Sequence, residues 1–202
     1  LHVRSRRQRQ MCIRDSSTGG ILPTPIIGMV GLIDNINQLA HESINEGDAL
    51  YLVGELTPSF AGSQLEKLLE NTIRQTTRSI DLVLEYSRGM MLREKLVNGE
   101  INKIAPLGRG GLIAKLAQLA SFNNVGLEVN VDVRKDLLFA EGASNYLVAA
   151  PSGLDIEGAV EIGKLTGSKF VVKAQDFEIN RELSDVRNAW EGAIPSCMNS
   201  ED

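Results

Sequence analysis

Apolar and polar residues alternate one for one from Gly126 to Val133. Leu127, Val129, Val131 and Val133 stand against Glu128, Asn130 and Asp132, which predicts a strand with one buried and one wet face. A shorter apolar run, Ala49 to Val53, follows the turn signal Gly47-Asp48 and closes on Gly54-Glu55, a second predicted strand. Ile26 to Ile33 reads as a strand entered through Pro23-Thr24-Pro25, where the prolines force extended backbone. Further strands are predicted at 145–150 and 168–173, and an extended stretch at 101–107. Helical spacing takes over elsewhere. Leu82, Val83, Tyr86, Met90, Leu92 and Leu96 predict a helix from Asp81 to about Val97, stopped by Asn98-Gly99. Ser63 is placed to cap a short helix with Leu65, Leu68 and Leu69 on one face. Leu112, Ile113, Leu116, Ala117 and Ala120 predict a helix opened by the turn Gly108-Arg109-Gly110-Gly111. Leu154 to Leu165 reads as a helix, and Leu183 to Ile194, with Trp190, as a terminal amphipathic one.

Strands and helices mix without strict βαβ alternation, and short turns separate several strand pairs. The expected class is therefore α+β, a mixed or antiparallel sheet with helices packed on one face. The 202 residues, 43% of them hydrophobic, suffice for one domain with a core. The longest apolar runs fall far short of the roughly 20 residues that span a bilayer, so no membrane partner is expected. Cys12 and Cys197 alone are present, near the two ends of the chain, which excludes a disulfide framework and fits a reducing cytoplasm.

Residues 1–17 differ from the rest. They hold five of the 21 Lys and Arg residues but one of the 26 acids, so 16 basic and 25 acidic residues remain beyond them, a net charge of −9. A body that acidic lacks the clustered cations that phosphate contacts need, and no nucleic-acid partner is expected. The string QRQMCIRDS resembles translated sequencing adapter, and residues 1–17 are read as a foreign or disordered leader before a single domain at 18–202.

Several stretches carry a resemblance, four of them closely. Pro23 to Asp34, PTPIIGMVGLID, is similar to a run that leads into the last domain of formylglycinamidine ribonucleotide synthetases. Gly47 to Gly54 resembles that family's segment GD-x-(I/L)-Y-L-(V/I)-G, and Gly62-Ser63-Gln64-Leu65 its GGSE(L/Y) helix start. Leu183 together with Asn188 to Pro195, NAWEGAIP, resembles the closing run of the small bacterial and archaeal form. The resemblance covers Ile21 to about Met198 and implies the C-terminal-type domain of the aminoimidazole ribonucleotide synthetase superfamily. It implies the tail end of a larger amidating ligase of purine synthesis, which phosphorylates an amide oxygen with ATP and lets glutamine-derived ammonia displace the phosphate.

Candidate chemistry is sparse. The amides of Gly110 and Gly111 open a helix and could hold a phosphate, helped by the helix dipole and Arg109; the other reading is a tight turn that needs glycine for positive φ or close packing. Where the family shows (V/A)-H-D-(I/V)-S-D-G-G-L-A, Ile104 to Ile113 keep Gly110-Gly111-Leu112 and lack the His, both Asp and the Ser. Leu138 to Asn145 resembles L-F-S-E-S-x-S-R, keeping Glu141 and Ser144 but not the other polar groups. Glu141 is thus either an auxiliary nucleotide or phosphate contact with Gly110 and Gly111, or a helix or turn cap. Glu141 with Asp136 could form an acid–base pair, one of many such coincidences among so many carboxylates. His41 is the sole histidine past the leader and is expected to face solvent; no spacing suits a metal, and no catalytic residue is identified.

The resemblance places ATP, Mg²⁺ and the reactive groups in the full-length enzyme, on polypeptide upstream of Pro23, and no cofactor on this chain alone. Its implied partners are those upstream domains, a glutaminase and a small helper subunit. The alternative reading, prompted by Ala105, Pro106, Arg109, Gly142 and Ala143, is a free-standing degenerate binding or regulatory module of the same superfamily.

Overall fold

A computed structural model describes residues 15–16, 19–20, 28, 30–32, 43–58, 60–70 and 79–199. The chain divides into two units, Leu1–Ile36 and Asn37–Asp202. In the first, β1 (Asp15–Ser16) pairs antiparallel with β2 (Gly19–Gly20). Half of the strand predicted at 26–33 lies outside the described residues. Gly28, Val30, Gly31 and Leu32 are described, take no regular structure and are exposed. Extended residues become a strand only when a neighbour takes up their amides and carbonyls, and no described residue does so at these four positions.

The second unit runs β3 (Ala49–Val53), α1 (Gln64–Glu70), α2 (Leu82–Val97), β4 (Lys103–Pro106), α3 (Gly111–Asn123), β5 (Leu127–Asn130), a 3-10 turn over Lys135–Phe139, β6 (Tyr146–Ala150), β7 (Ala159–Leu165), β8 (Lys169–Ala174), β9 (Phe177–Glu182) and α4 (Leu183–Asn199). Seven strands form one sheet in the order β4-β6-β3-β7-β5-β8-β9. Every neighbouring pair is antiparallel except β5 with β8, so the sheet is mixed, as the sequence leads one to expect.

All five residues of β3 and all five of β6 are buried, because both faces of the sheet are covered there. On one face Leu50, Leu52, Leu147 and Ala149 meet Leu112, Leu116, Leu119 and Ala120 of α3 and Leu183 of α4. On the other, Ala49, Tyr51, Val53, Tyr146 and Val148 meet Leu92 of α2 with Ile101 and Ile156. Each fully buried leucine contributes about 1.5–3 kcal/mol. The helix boundaries follow local chemistry. Asp81 Oδ1 accepts from the amides of Val83 and Leu84, both at 3.0 Å, and starts α2; Asn98 and Gly99, at φ +73°, end it.

Within the helix predicted at 154–165, residues 159–165 instead form β7. Leu154, Ile156, Val160, Ile162 and Leu165 suit either period, and tertiary pairing decides: Leu52 lies opposite Val160, and Leu127 opposite Leu165. Gly163 is required there, since a Cβ would stand 2.1 Å from the Glu128 carbonyl oxygen. β9 lacks an apolar alternation that would announce it. It is an exposed edge whose charges pair across to β8, Lys169 with Glu182 at 3.4 Å and Lys173 with Glu178 at 3.8 Å.

Candidate functional site

A cavity of about 580 Å³ opens where the end of β3, the start of α2, the glycine turn before α3 and the segment before β6 come together. Glu55, Arg88, Arg109, Glu141, Ser144 and Asn145 are among its walls. The glycine turn is built by sterics. Gly110 and Gly111 stand at φ +79° and +67°, and the Gly111 amide donates to the Gly108 carbonyl at 2.9 Å. A Cβ on Gly111 would meet the Leu138 carbonyl oxygen at 2.7 Å and the Ala140 nitrogen at 2.9 Å.

Glu141 faces this turn, and its geometry is that of a cap. Its Oε1 accepts from the amide of Gly110 and from the amide of Gln64, each at 2.8 Å. Gln64 is the first residue of α1, and Gly110 is the N-cap of α3, so one carboxylate oxygen ties two helix starts together. Ser63 and Glu66 complete the start of α1: Ser63 Oγ accepts from the Glu66 amide at 3.1 Å, and Glu66 Oε2 from the Gly62 amide at 2.6 Å. A phosphate at the glycine turn would need the Gly110 amide, which already donates to Glu141, and would set its charge against the carboxylate. The residues present do not fit a nucleotide phosphate at that point. Arg109 lines the cavity and is exposed.

The other side of the cavity is a polar network that pattern reading missed. Arg88 Nη1 donates to the Ser144 carbonyl at 2.8 Å, and Asn145 Nδ2 to the Glu55 carbonyl at 3.0 Å. Ser144 holds φ +62°, a left-handed conformation that costs a residue with a Cβ. The Tyr146 hydroxyl donates to Glu85 Oε1 at 2.5 Å. Burial, then the Glu85 carboxylate, push the Tyr146 hydroxyl up to about 12. The Ser144 hydroxyl, then the Tyr146 hydroxyl, hold the Glu85 carboxyl below its ordinary value against the opposing effect of burial. Glu85 Oε2 is itself buried and meets no partner at hydrogen-bond geometry. The signal was available: Glu85, Arg88 and Leu92 recur at helical spacing on one face of α2, and two charges half-buried beside an apolar residue need partners.

Asp136 does not line this cavity and pairs with Arg134 at 2.6 Å, so the structure does not bring it to Glu141. His41 lies outside the described residues. Among the described residues no three His, Cys, Asp or Glu side chains gather as metal ligands, and no helix is long and apolar enough to cross a membrane.

Residues 45–173 match the family model for the AIR synthase related protein, C-terminal domain. Phosphoribosylformylglycinamidine synthase subunit PurL of Macrococcus caseolyticus is 42% identical over 183 residues, 90% of this chain and 25% of that protein. The subunit of the same name from Staphylococcus epidermidis is 39% identical over 185 residues, with the same shares covered. The chain thus spans about a quarter of the length of the curated relatives it matches. Among solved structures, T. maritima PurL complexed with FGAR superposes with a TM-score of 0.61 at 14% identity, over 75% of this chain and 30% of that one. T. maritima PurL complexed with ATP gives 0.56 at 12% identity, over 75% and 28%, and PurLQS from Thermotoga maritima 0.55 at 15%, over 75% and 27%. At such identities the likeness carries the fold. A seven-stranded mixed sheet with this helix order, and a family match across most of it, make the chain a member of the AIR synthase related protein C-terminal domain family.

Proposed function

We propose that this chain is the closing domain of a phosphoribosylformylglycinamidine synthase, a C–N ligase of purine biosynthesis. That enzyme converts formylglycinamide ribonucleotide to formylglycinamidine ribonucleotide with ATP, Mg²⁺ and ammonia drawn from glutamine. The observation that carries the reading is the 42% identity to a PurL subunit across 90% of this chain. The domain's own part is structural: it supports a reacting centre whose groups lie on the upstream domains of the same polypeptide. Two features support that division. The Gly110 amide is already bonded within the fold, and the polar network around Arg88, Ser144 and Asn145 bonds mainly to backbone. The partners of this domain are the remaining domains of its polypeptide, a glutaminase and a small helper subunit; PurLQS from Thermotoga maritima shares its fold.

The test is a chimaera. The matching quarter of Macrococcus caseolyticus PurL is replaced by residues 21–202, and amidine formation is followed with ammonia as nitrogen donor. The chimaera is expected to turn over while the isolated chain does not. An inactive but folded chimaera, or turnover by the isolated chain, refutes the proposal.

A further inference from the structure

We propose that Glu141 is a resident anion: its carboxylate takes the place of a phosphate at the glycine turn, and its charge closes this domain to phosphate-bearing ligands there until that carboxylate is removed or neutralised. Nothing in this depends on which reaction the larger enzyme performs.

The turn has the makings of an anion cradle. Gly110 and Gly111 lie in succession at positive φ, and α3, 13 residues long, starts on them with the positive end of its dipole. The space is filled from within. Glu141 Oε1 sits 2.8 Å from the Gly110 amide and 2.8 Å from the Gln64 amide, donors contributed by segments 31 and 77 residues away in sequence. A charge-assisted bond of that length is among the stronger hydrogen bonds a fold can make. An incoming phosphate would have to displace the carboxylate and remain beside it, like charge against like. The surrounding charges do not offset this. Arg88 and Arg109 line the cavity, but so do Glu55, Asp81 and Glu141, and Arg88 already donates Nη1 to the Ser144 carbonyl. Tethering the anion to the chain also gains what a diffusing ligand cannot: one side chain holds α1, α3 and the approach to β6 in register with no association entropy to overcome.

The test uses the full 202-residue chain as wild type, Glu141→Ala and Glu141→Gln, with inorganic phosphate as the probe and chloride at matched ionic strength as control. Thermal unfolding and the ¹⁵N–¹H shift of the Gly110 amide are recorded through a phosphate titration. Wild type is expected to show no phosphate-dependent change in either. Glu141→Ala is expected to lose thermal stability, recover part of it with phosphate and not with chloride, and bind phosphate about tenfold or more tighter than wild type. Glu141→Gln keeps an acceptor and drops the charge; it is expected to stay folded and to show a Gly110 shift on phosphate addition, which decides the matter if Glu141→Ala does not fold. A wild-type Gly110 amide that responds to phosphate as strongly as the Gln variant overturns the proposal. So does a folded Gln variant that does not respond at all.

Discussion

Replacing Gly111 by alanine separates a glycine kept for packing from one kept for a ligand. The added Cβ would stand 2.7 Å from the Leu138 carbonyl oxygen, 2.7 Å from the Phe139 carbonyl carbon and 2.9 Å from the Ala140 nitrogen. These are backbone atoms of the 3-10 turn, held between Leu138 and Ala140, both buried, so they cannot retreat as a flexible side chain would. Left-handed φ costs a residue with a Cβ roughly 1–2 kcal/mol, and overpacking typically adds about 1–3 kcal/mol. The sum, about 2–5 kcal/mol, is a large part of the roughly 5–15 kcal/mol that holds an ordinary domain together.

The assay is urea unfolding of the three single variants Gly108→Ala, Gly110→Ala and Gly111→Ala. With a urea slope of about 1–3 kcal/mol per molar, Gly111→Ala is expected to lower the midpoint by on the order of 1–2 M. Gly108 has open space where a Cβ would go and no positive φ, so its variant should stay within about 0.5 kcal/mol of wild type. Gly110 is intermediate: its Cβ would meet only the Ala114 methyl, at 2.5 Å, and adding Ala114→Gly should return the packing share and leave the φ cost. A Gly111→Ala midpoint equal to that of Gly108→Ala would refute the steric account of the turn.

Four further outcomes are expected. The Tyr146 hydroxyl, raised in the fold from 10.0 to about 12, contributes stability that is complete below pH 10 and lost as pH climbs toward 12. Tyr146→Phe should abolish that alkaline loss in a pH series of melting temperatures. Glu85 is depressed, so its contribution holds above its ordinary value of 4.5 and disappears as pH falls through the folded value; because Tyr146 is one of the causes, the same variant should also soften the acid-side loss. Leu116→Ala, a fully buried position on α3, should cost about 2–5 kcal/mol in chemical denaturation; a loss under 1 kcal/mol would mean α3 does not anchor that face. Leu82, Val83, Tyr86 and Met90 leave an exposed apolar stripe on α2, so Val83→Lys with Tyr86→Lys should reduce self-association in light scattering while leaving the unfolding midpoint in place.

Sequence pattern reached most of the secondary structure in the second unit because local chemistry decides there. Asp81 and Asn98-Gly99 bound α2 by capping, alternation marks β5, and Gly110-Gly111 announces a turn before α3 whatever surrounds it. β7 was illegible because its apolar spacing suits two periods, and the choice falls to strands β3 and β5, which offer it ladders on both sides. β9 was illegible because an edge strand with wet faces has no apolar signature.

The candidate site divides in the same way. The sequence named Gly110, Gly111 and Glu141 as candidate contacts from two separate motifs. It could not show that one Glu141 oxygen would bond both Gly110 and Gln64, nor that Arg88 would reach the Ser144 carbonyl from 56 residues away. Composition and periodicity record what each residue prefers within a turn or two of chain; which amide a carboxylate reaches across the sheet depends on chain closure over long separations, and that is decided only when the core packs.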